Sequence, residues 1–586
     1  MTASHKIATH RFRPRRIVRW PWQAGLYALL VLVFVAFTVL PLVAMLQGSL
    51  QSELQGASSW SLEGWRTLLR EPRILSALGN TLTLTLVSQA IALPLSIGIA
   101  WLLGRTDLPG RRWLEFAFWV SFFLPALAVV QGWTLLLDPN NGLINRWLMQ
   151  TFGLTHAPLD IYSWGGIVFA HLITTTVSAK IMMLTPAFQS MDARYEEAAL
   201  MAGDSRLQAL LKVTLPLLKP ALLVTAIMGV IRALESFEIE LVLGAPKRID
   251  VYSTLIYDMT RYDPINFASA FALGILIVVV MMVLAWLSRR SGRGGQHVTV
   301  SGQAQTTVMA LGRWRWPLTV LVGAFALVLT VVPLVFLVLS SLMRRFGFFN
   351  LRQPWTLDHW HSVLGDPIFL GAVRNTLEIA AGSALLTAAL SLAVAYTIVR
   401  SRRAGRALLE FASWLPFSIP GVLASLALLW LILHSGLNWL YGSTLSLIVT
   451  VTLASITLGV QLIRSQLLQL SQELEEAAWI SGVSAWRAVL SIVMPLCARS
   501  IVVVAVMAFI SAARDISHLS LLVSSDNQPL SMLQLEYIAE GRFEASAVIG
   551  VLIAGMAIVA ALIARRLGYR TEAHRRDSQR LPQGQR

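Results

Sequence analysis

Apolar residues in this chain come in long unbroken runs, not in alternating or one-faced stripes. The runs lie near 25–47, 80–104, 113–137, 164–188, 217–245 and 267–288. A second set lies near 317–341, 375–399, 408–432, 443–466, 498–522 and 545–567. A helix needs about 20 apolar residues to cross the hydrocarbon core of a bilayer. The pattern therefore predicts an all-α membrane protein with about twelve transmembrane helices, six in each half. The first run, Gly25 to Gln47, is longer than a signal-peptide core and has no small-x-small site close behind it. It reads as an uncleaved first span.

Polar segments divide the chain further. Residues 1–23 form a basic tail, 24–288 a first membrane domain, 289–316 a glycine-rich polar linker, 317–567 a second membrane domain, and 568–586 a polar tail expected to be disordered. Charged residues make up only 13% of the 586, against about 25% in soluble domains. The net charge of +16 would suggest nucleic acid in a soluble protein. Here the positive residues cluster in alternate loops: Arg105, Arg111 and Arg112; Lys212 and Lys219; Arg289, Arg290 and Arg293; Arg400, Arg402, Arg403 and Arg406; Arg487; and Arg565, Arg566 and Arg570. Positive loops stay on the inner side of a membrane, so both termini are expected in the cytoplasm. The single cysteine, Cys497, excludes an internal disulfide and a cysteine-rich metal site.

The two sets of spans are copies. At an offset of 295, Trp60-Ser61-Leu62-Glu63 and Trp65 meet Trp355-Thr356-Leu357-Asp358 and Trp360. Asn80-Thr81-Leu82 meets Asn375-Thr376-Leu377, Leu114-Glu115-Phe116 meets Leu409-Glu410-Phe411, and Pro125 meets Pro420. Further along the offset falls to 279, so the first half carries 16 extra residues, around 145–161. An even number of spans per half makes this a parallel repeat, with a pathway expected along its axis.

The most specific feature follows the fourth span of each half. The first copy reads Glu196-Glu197-Ala198-Ala199-Leu200-Met201-Ala202-Gly203, with Pro216 thirteen residues on. The second reads Glu475-Glu476-Ala477-Ala478-Trp479-Ile480-Ser481-Gly482, with Pro495 thirteen on. Each predicts a short helix whose alanines permit close approach, stopped by glycine. Ser205 and Ser484 are placed to cap a second helix, Ser205 with Gln208 as a capping box. Pro216 and Pro495 suit the first turn of the next helix. The product is a helix–turn–helix knuckle on the inner surface.

This Glu-Ala-Ala, three residues, Gly pattern resembles the EAA loop of binding-protein-dependent ABC importer permeases, and the resemblance covers both halves, roughly 60–288 and 355–567. It implies a type I importer permease fold. It also implies that Glu197, Ala198, Ala199 and Gly203 dock one ATPase subunit and Glu476, Ala477, Ala478 and Gly482 another. Met494 before the proline and the bulky Trp479 depart from the pattern and bear on the equality of the two loops. No Walker-type loop occurs in the chain. ATP and Mg are therefore expected on the separate ATPase, with no cofactor in this chain, and the chain itself is expected not to be an enzyme. The family implies an extracytoplasmic solute-binding protein, a bacterial inner-membrane location and contact with lipid, and no nucleic acid.

Leu234-Glu235-Ser236-Phe237-Glu238 with Gly244, Leu415-Pro416-Phe417-Ser418-Ile419-Pro420-Gly421 and Ala513-Arg514-Asp515-Ile516-Ser517 look like the ferric-iron branch. Thiamine, phosphonate and polyamine importers share much of this pattern. Ionisable groups inside spans are functional candidates, which selects Glu235, Glu238, Arg514 and Asp515 as pathway or gate residues. The 279 offset aligns Glu235 with Arg514, and the two are expected to face each other near the outer gate, or else to reach headgroups or water. Lys180 is expected to snorkel to the inner surface, His171 to be a hydrogen-bonded packing residue, and Asn80 and Asn375 to cap helices. The rival class is an ion-coupled secondary transporter. That class predicts midplane carboxylates in broken helices, often in inverted repeats.

Overall fold

The computed structural model describes residues 21–54, 57–293, 309–401 and 405–579. It is built almost wholly of helices, with one antiparallel hairpin, Gln51–Leu54 with Ala57–Trp60, after the first span. Among the described residues nine helices are long and apolar enough to cross a membrane, or twelve if each of three bent pairs counts as one span. The all-α, twice-repeated architecture expected from the apolar runs is thus present. The basic tail up to residue 20 and linker residues 294–308 lie outside the described residues.

Three expected spans are not straight. The third span of the first half breaks by 100° between Arg111–Phe123 and Ala126–Leu137, and its copy breaks by 111° between Arg406–Ser418 and Gly421–His434. The cause is Pro125 and its copy Pro420. Proline lacks the N–H the ladder needs and pushes the residue before it out of the helical region; Leu124 is extended at φ −65°, ψ 138°, and Ile419 at φ −110°, ψ 110°. The fifth span of the first half bends by 77° between Arg206–Leu217 and Lys219–Leu234, where Pro220 occupies the second position of the new helix. Its counterpart, Trp486–Ala513, is continuous, with Arg499 at the repeat position of Pro220.

Both fifth spans also end earlier than their apolar runs, at Leu234 and Ala513. In contrast, the last helix, Phe543–Gln579, runs past 567 into the segment expected to be disordered.

Spans two, four and five of each half pack as a trio. The halves interlock through their first spans. Pro21–Ser49 lies against the second half's broken third span, and Arg315–Leu342 lies against the first half's. Backbones come close at that contact: a Cβ on Gly132 would sit 2.2 Å from the carbonyl oxygen of Pro333. Without water to drive helices together, such close approach and interhelical hydrogen bonds hold a membrane bundle. Gln131 supplies the latter, donating to Phe543 O at 2.7 Å and accepting from Gln534 at 3.2 Å across the halves. Leu127, Leu234, Phe237, Phe417, Ile419 and Ile516 belong to one apolar core shared by both halves.

Candidate coupling knuckles and gate

Each knuckle is formed as the sequence predicts. In the first, Arg194–Met201 ends at Gly203, which has φ +94°. The turn is closed by Gly203 N to Leu200 O and Asp204 N to Ala199 O, each 3.1 Å. In the second, Glu473–Ile480 ends at Gly482, with φ +83°, closed by Gly482 N to Trp479 O at 3.1 Å and Val483 N to Ala478 O at 3.0 Å. Ser205 accepts from Gln208 N while Gln208 accepts from Ser205 N, completing the capping box. Ser484 accepts from Arg487 N at 3.4 Å. Both second helices then widen into a π turn at matching positions, Leu210–Thr214 and Val489–Val493.

The exposed face is nearly identical in the two copies. Glu197, Ala198 and Gly203 are exposed and Ala199 half-buried; Glu476, Ala477, Gly482 and Ala478 repeat this. Nothing lies within 4 Å of the position a Cβ would take on either glycine. Flanking each glycine is a nearly bare apolar side chain, Met201 at 90% and Ile480 at 88% exposure.

Sequence reasoning passed over the first glutamate of each motif. Glu196 and Glu475 point inward and are buried. Arg105, the last residue of span two, donates to Glu196 Oε2 from Nε at 3.0 Å and Nη2 at 2.6 Å, and to Met191 O at 3.0 Å. Thr214 donates to the other carboxylate oxygen at 2.7 Å. In the second half Arg400 reaches Glu475 at 2.8 Å and Leu470 O at 3.0 Å, and Tyr396 donates to Glu475 at 2.7 Å. Each knuckle is therefore bolted to the end of its own span two. The signal was available, since Arg105 and Arg400 match at the 295 offset. Beside the first bolt the far end of the linker is docked, with Met309 N on Arg105 O at 2.9 Å and Leu311 N on Asp107 Oδ1 at 2.8 Å.

The four gate candidates gather where the fifth spans end, but not in the expected pairing. Glu235 pairs with Arg232 of its own helix at 2.8 Å, not with Arg514. Arg514 instead donates from Nη1 to Phe122 O at 3.1 Å and Leu124 O at 3.0 Å, at the break in the other half's third span. Glu238 lies within Coulombic range of Arg514 and Asp515, and Asp515 is held by His518 at 2.9 Å. The early helix ends explain the change: Glu235 and Arg514 are each the residue just past the last helical turn, so neither projects from a continuous helix face.

The other intramembrane residues resolve as follows. His171 is a buried, hydrogen-bonded packing residue, 2.7 Å from Glu240, which also accepts from Ser236 at 2.7 Å. Lys180 does not snorkel: it is 2% exposed, donates to Thr176 O at 3.2 Å, and fills the space beside Gly229. Asn80 and Asn375 do not cap; they lie within long helices that start at Pro72 and Pro367. Asn80 donates to Asp250 O at 2.8 Å, and Asn375 to Asp526 O and Gln528 O, both at 3.1 Å. The threonine after each accepts a backbone N–H, from Tyr252 at 3.0 Å and from Leu530 at 2.8 Å.

Comparison with known proteins places this geometry. Residues 92–293 and 386–573 each match the binding-protein-dependent transport system inner membrane component family. A ferric transport system permease protein of Actinobacillus pleuropneumoniae is 25% identical over 555 residues, 91% of this chain and 77% of that one. A sulfate transport system permease of Salmonella typhimurium is 28% identical over 273 residues, covering 45% of this chain and 91% of its own length. Among solved structures, a bacterial alginate ABC transporter in complex with an alginate-bound periplasmic protein matches with a TM-score of 0.40 at 21% identity, over 48% of this chain and 98% of that one. The chain belongs to the binding-protein-dependent transport system inner membrane component family, and carries that family's domain twice in one polypeptide.

Proposed function

We propose that one copy of this chain forms the whole transmembrane passage of an ATP-driven importer for ferric iron, in the bacterial inner membrane with both termini in the cytoplasm. Two copies of a separate ATPase subunit would seat on the knuckles, one around Glu197, Ala198, Ala199 and Gly203, the other around Glu476, Ala477, Ala478 and Gly482. An extracytoplasmic binding protein would deliver the ion, and ATP and Mg would bind the ATPase alone. Glu235, Glu238, Arg514 and Asp515 would belong to the gate between the halves.

The observation that carries the substrate is the extent of the match. The ferric permease aligns over both halves, whereas the sulfate permease aligns over one. The duplicated knuckles support the two-ATPase arrangement. Each offers a carboxylate, small alanines and a bare apolar residue on an unobstructed face, the mixture of shape and anchor that a protein partner requires. The inward loops rich in arginine and lysine support the orientation.

The test is purification of the tagged chain from native membranes in mild detergent, followed by uptake of labelled ferric iron into vesicles containing the complex and its binding protein. The reading expects an ATPase at two copies per chain and iron uptake that requires ATP. Recovery without any ATPase would overturn the importer assignment. ATP-dependent uptake of thiamine, a phosphonate or a polyamine in place of iron would overturn the substrate alone.

A further inference from the structure

The two third-span breaks are repeat copies of each other, and the first half's break is held across the halves by hydrogen bonds from Arg514. The 100° bend at Pro125 leaves the carbonyls of Phe122 and Leu124 at the end of a helix with no following turn to bond them. In lipid an unmet carbonyl is costly. Arg514, at the end of the other half's fifth span, donates to both from one nitrogen, with its guanidinium 6.0 Å from the centre of the Phe122 ring.

At the copy of this site the donor is gone. The residue at the repeat position of Arg514 is Glu235, which as a carboxylate has no hydrogen to give a carbonyl. Arg232 reaches the copied phenylalanine, Phe417, at 5.7 Å from its ring centre, but its hydrogen bond goes to Glu235. Around the Arg514 contact the halves are shut: Leu124, Phe237 and Ile516 are each at most 2% exposed.

We propose that Arg514 is a one-sided latch of the gate. It joins the halves through the Phe122 and Leu124 carbonyls, and opening the passage requires those two bonds to break. The inference rests on the importer reading and adds to it a regulatory element. Parting the guanidinium from the two carbonyls leaves polar groups that must find new partners, so the latch favours the closed state. Its removal shifts the population toward the open state by the latch's differential free energy.

The experiment uses the full chain with Cys497→Ala and spin labels at Ala245→Cys and Tyr441→Cys, one exposed position in each half, in lipid nanodiscs with and without the ATPase. With Arg514→Ala or Arg514→Gln, the distance distribution is expected to broaden toward longer separations. ATP hydrolysis without binding protein is expected to rise on the order of tenfold, as for the loss of one charge-assisted contact. Arg514→Lys keeps the cation but has a shorter reach and should fall between. An unchanged distance distribution together with unchanged hydrolysis in Arg514→Ala would overturn the latch. If Arg514→Ala does not assemble, Arg514→Lys decides on the same two readouts, and a wild-type distribution overturns the proposal. Absence of any ATPase from the wild-type complex would sink the importer reading instead, and the distances, measured on the chain alone, would still judge the latch.

Discussion

At the scale of single residues, adjacent glutamates in one motif have opposite tasks. Glu196 is buried in a charged pair with Arg105, while Glu197 faces outward. Removing one member of a buried ion pair strands the other and costs about 3–5 kcal/mol. Glu196→Ala and Glu475→Ala are therefore expected to lower the melting temperature of the chain clearly. Glu197→Ala and Glu476→Ala should leave it unchanged and weaken only capture of the ATPase. Equal thermal effects within each doublet, read by fluorescence-detected unfolding, would contradict this division. The glycines give a second prediction of the same kind. A side chain on Gly203 or Gly482 has free space around it, so its cost is backbone only, about 1–2 kcal/mol for a residue held at positive φ. The turn should loosen locally. Gly203→Ala with Gly482→Ala is expected to abolish ATPase co-purification while the chain remains folded by size-exclusion chromatography.

At the scale of elements, what was legible in the sequence depended on the range of the interaction. Span number, the repeat and the knuckles were readable because apolar length, glycine stops and serine caps act within a few residues. The bends were not read, although Pro125, Pro220 and Pro420 were in view, because a proline inside an apolar run fits both a kinked span and a broken one. The tasks of Asn80 and Asn375 were misread for a different reason. Their partners lie 170 and 151 to 153 residues downstream, and no local pattern announces them. These asparagines and their following threonines clamp span two to the start of the short helices Tyr252–Arg261 and Leu530–Ala539. Thr81→Val and Thr376→Val leave a buried N–H without its acceptor, at a cost of about 1–3 kcal/mol each. Each should lower the melting temperature more than Asn80→Ala, whose partner carbonyl is only partly buried. The reverse order would show that the asparagine, not the threonine, holds the clamp.

At the scale of the whole molecule, the halves are joined twice, by the linker and by mutual embrace, and the second bond is the stronger candidate for holding the assembly. Each first span rests on the opposite half's third span, Gly132 brings backbones together at Pro333, and Gln131 is bonded to Phe543 and Gln534. None of these contacts passes through residues 294–308. A covalent tether contributes mainly effective concentration, on the order of millimolar, which matters when the two parts are dilute. Chains cut between 300 and 301 and co-expressed are therefore expected to co-purify as a 1:1 complex and to support ATP-driven uptake near the intact level at high expression. Uptake should fall steeply as expression is lowered. Either half alone exposes the apolar and glutamine surface meant for the other, and is expected to aggregate or be degraded. If the co-expressed halves stay apart at every expression level, the fusion is a structural requirement, and the docked stretch at Met309–Leu311 beside Arg105 becomes the place where the linker does its holding.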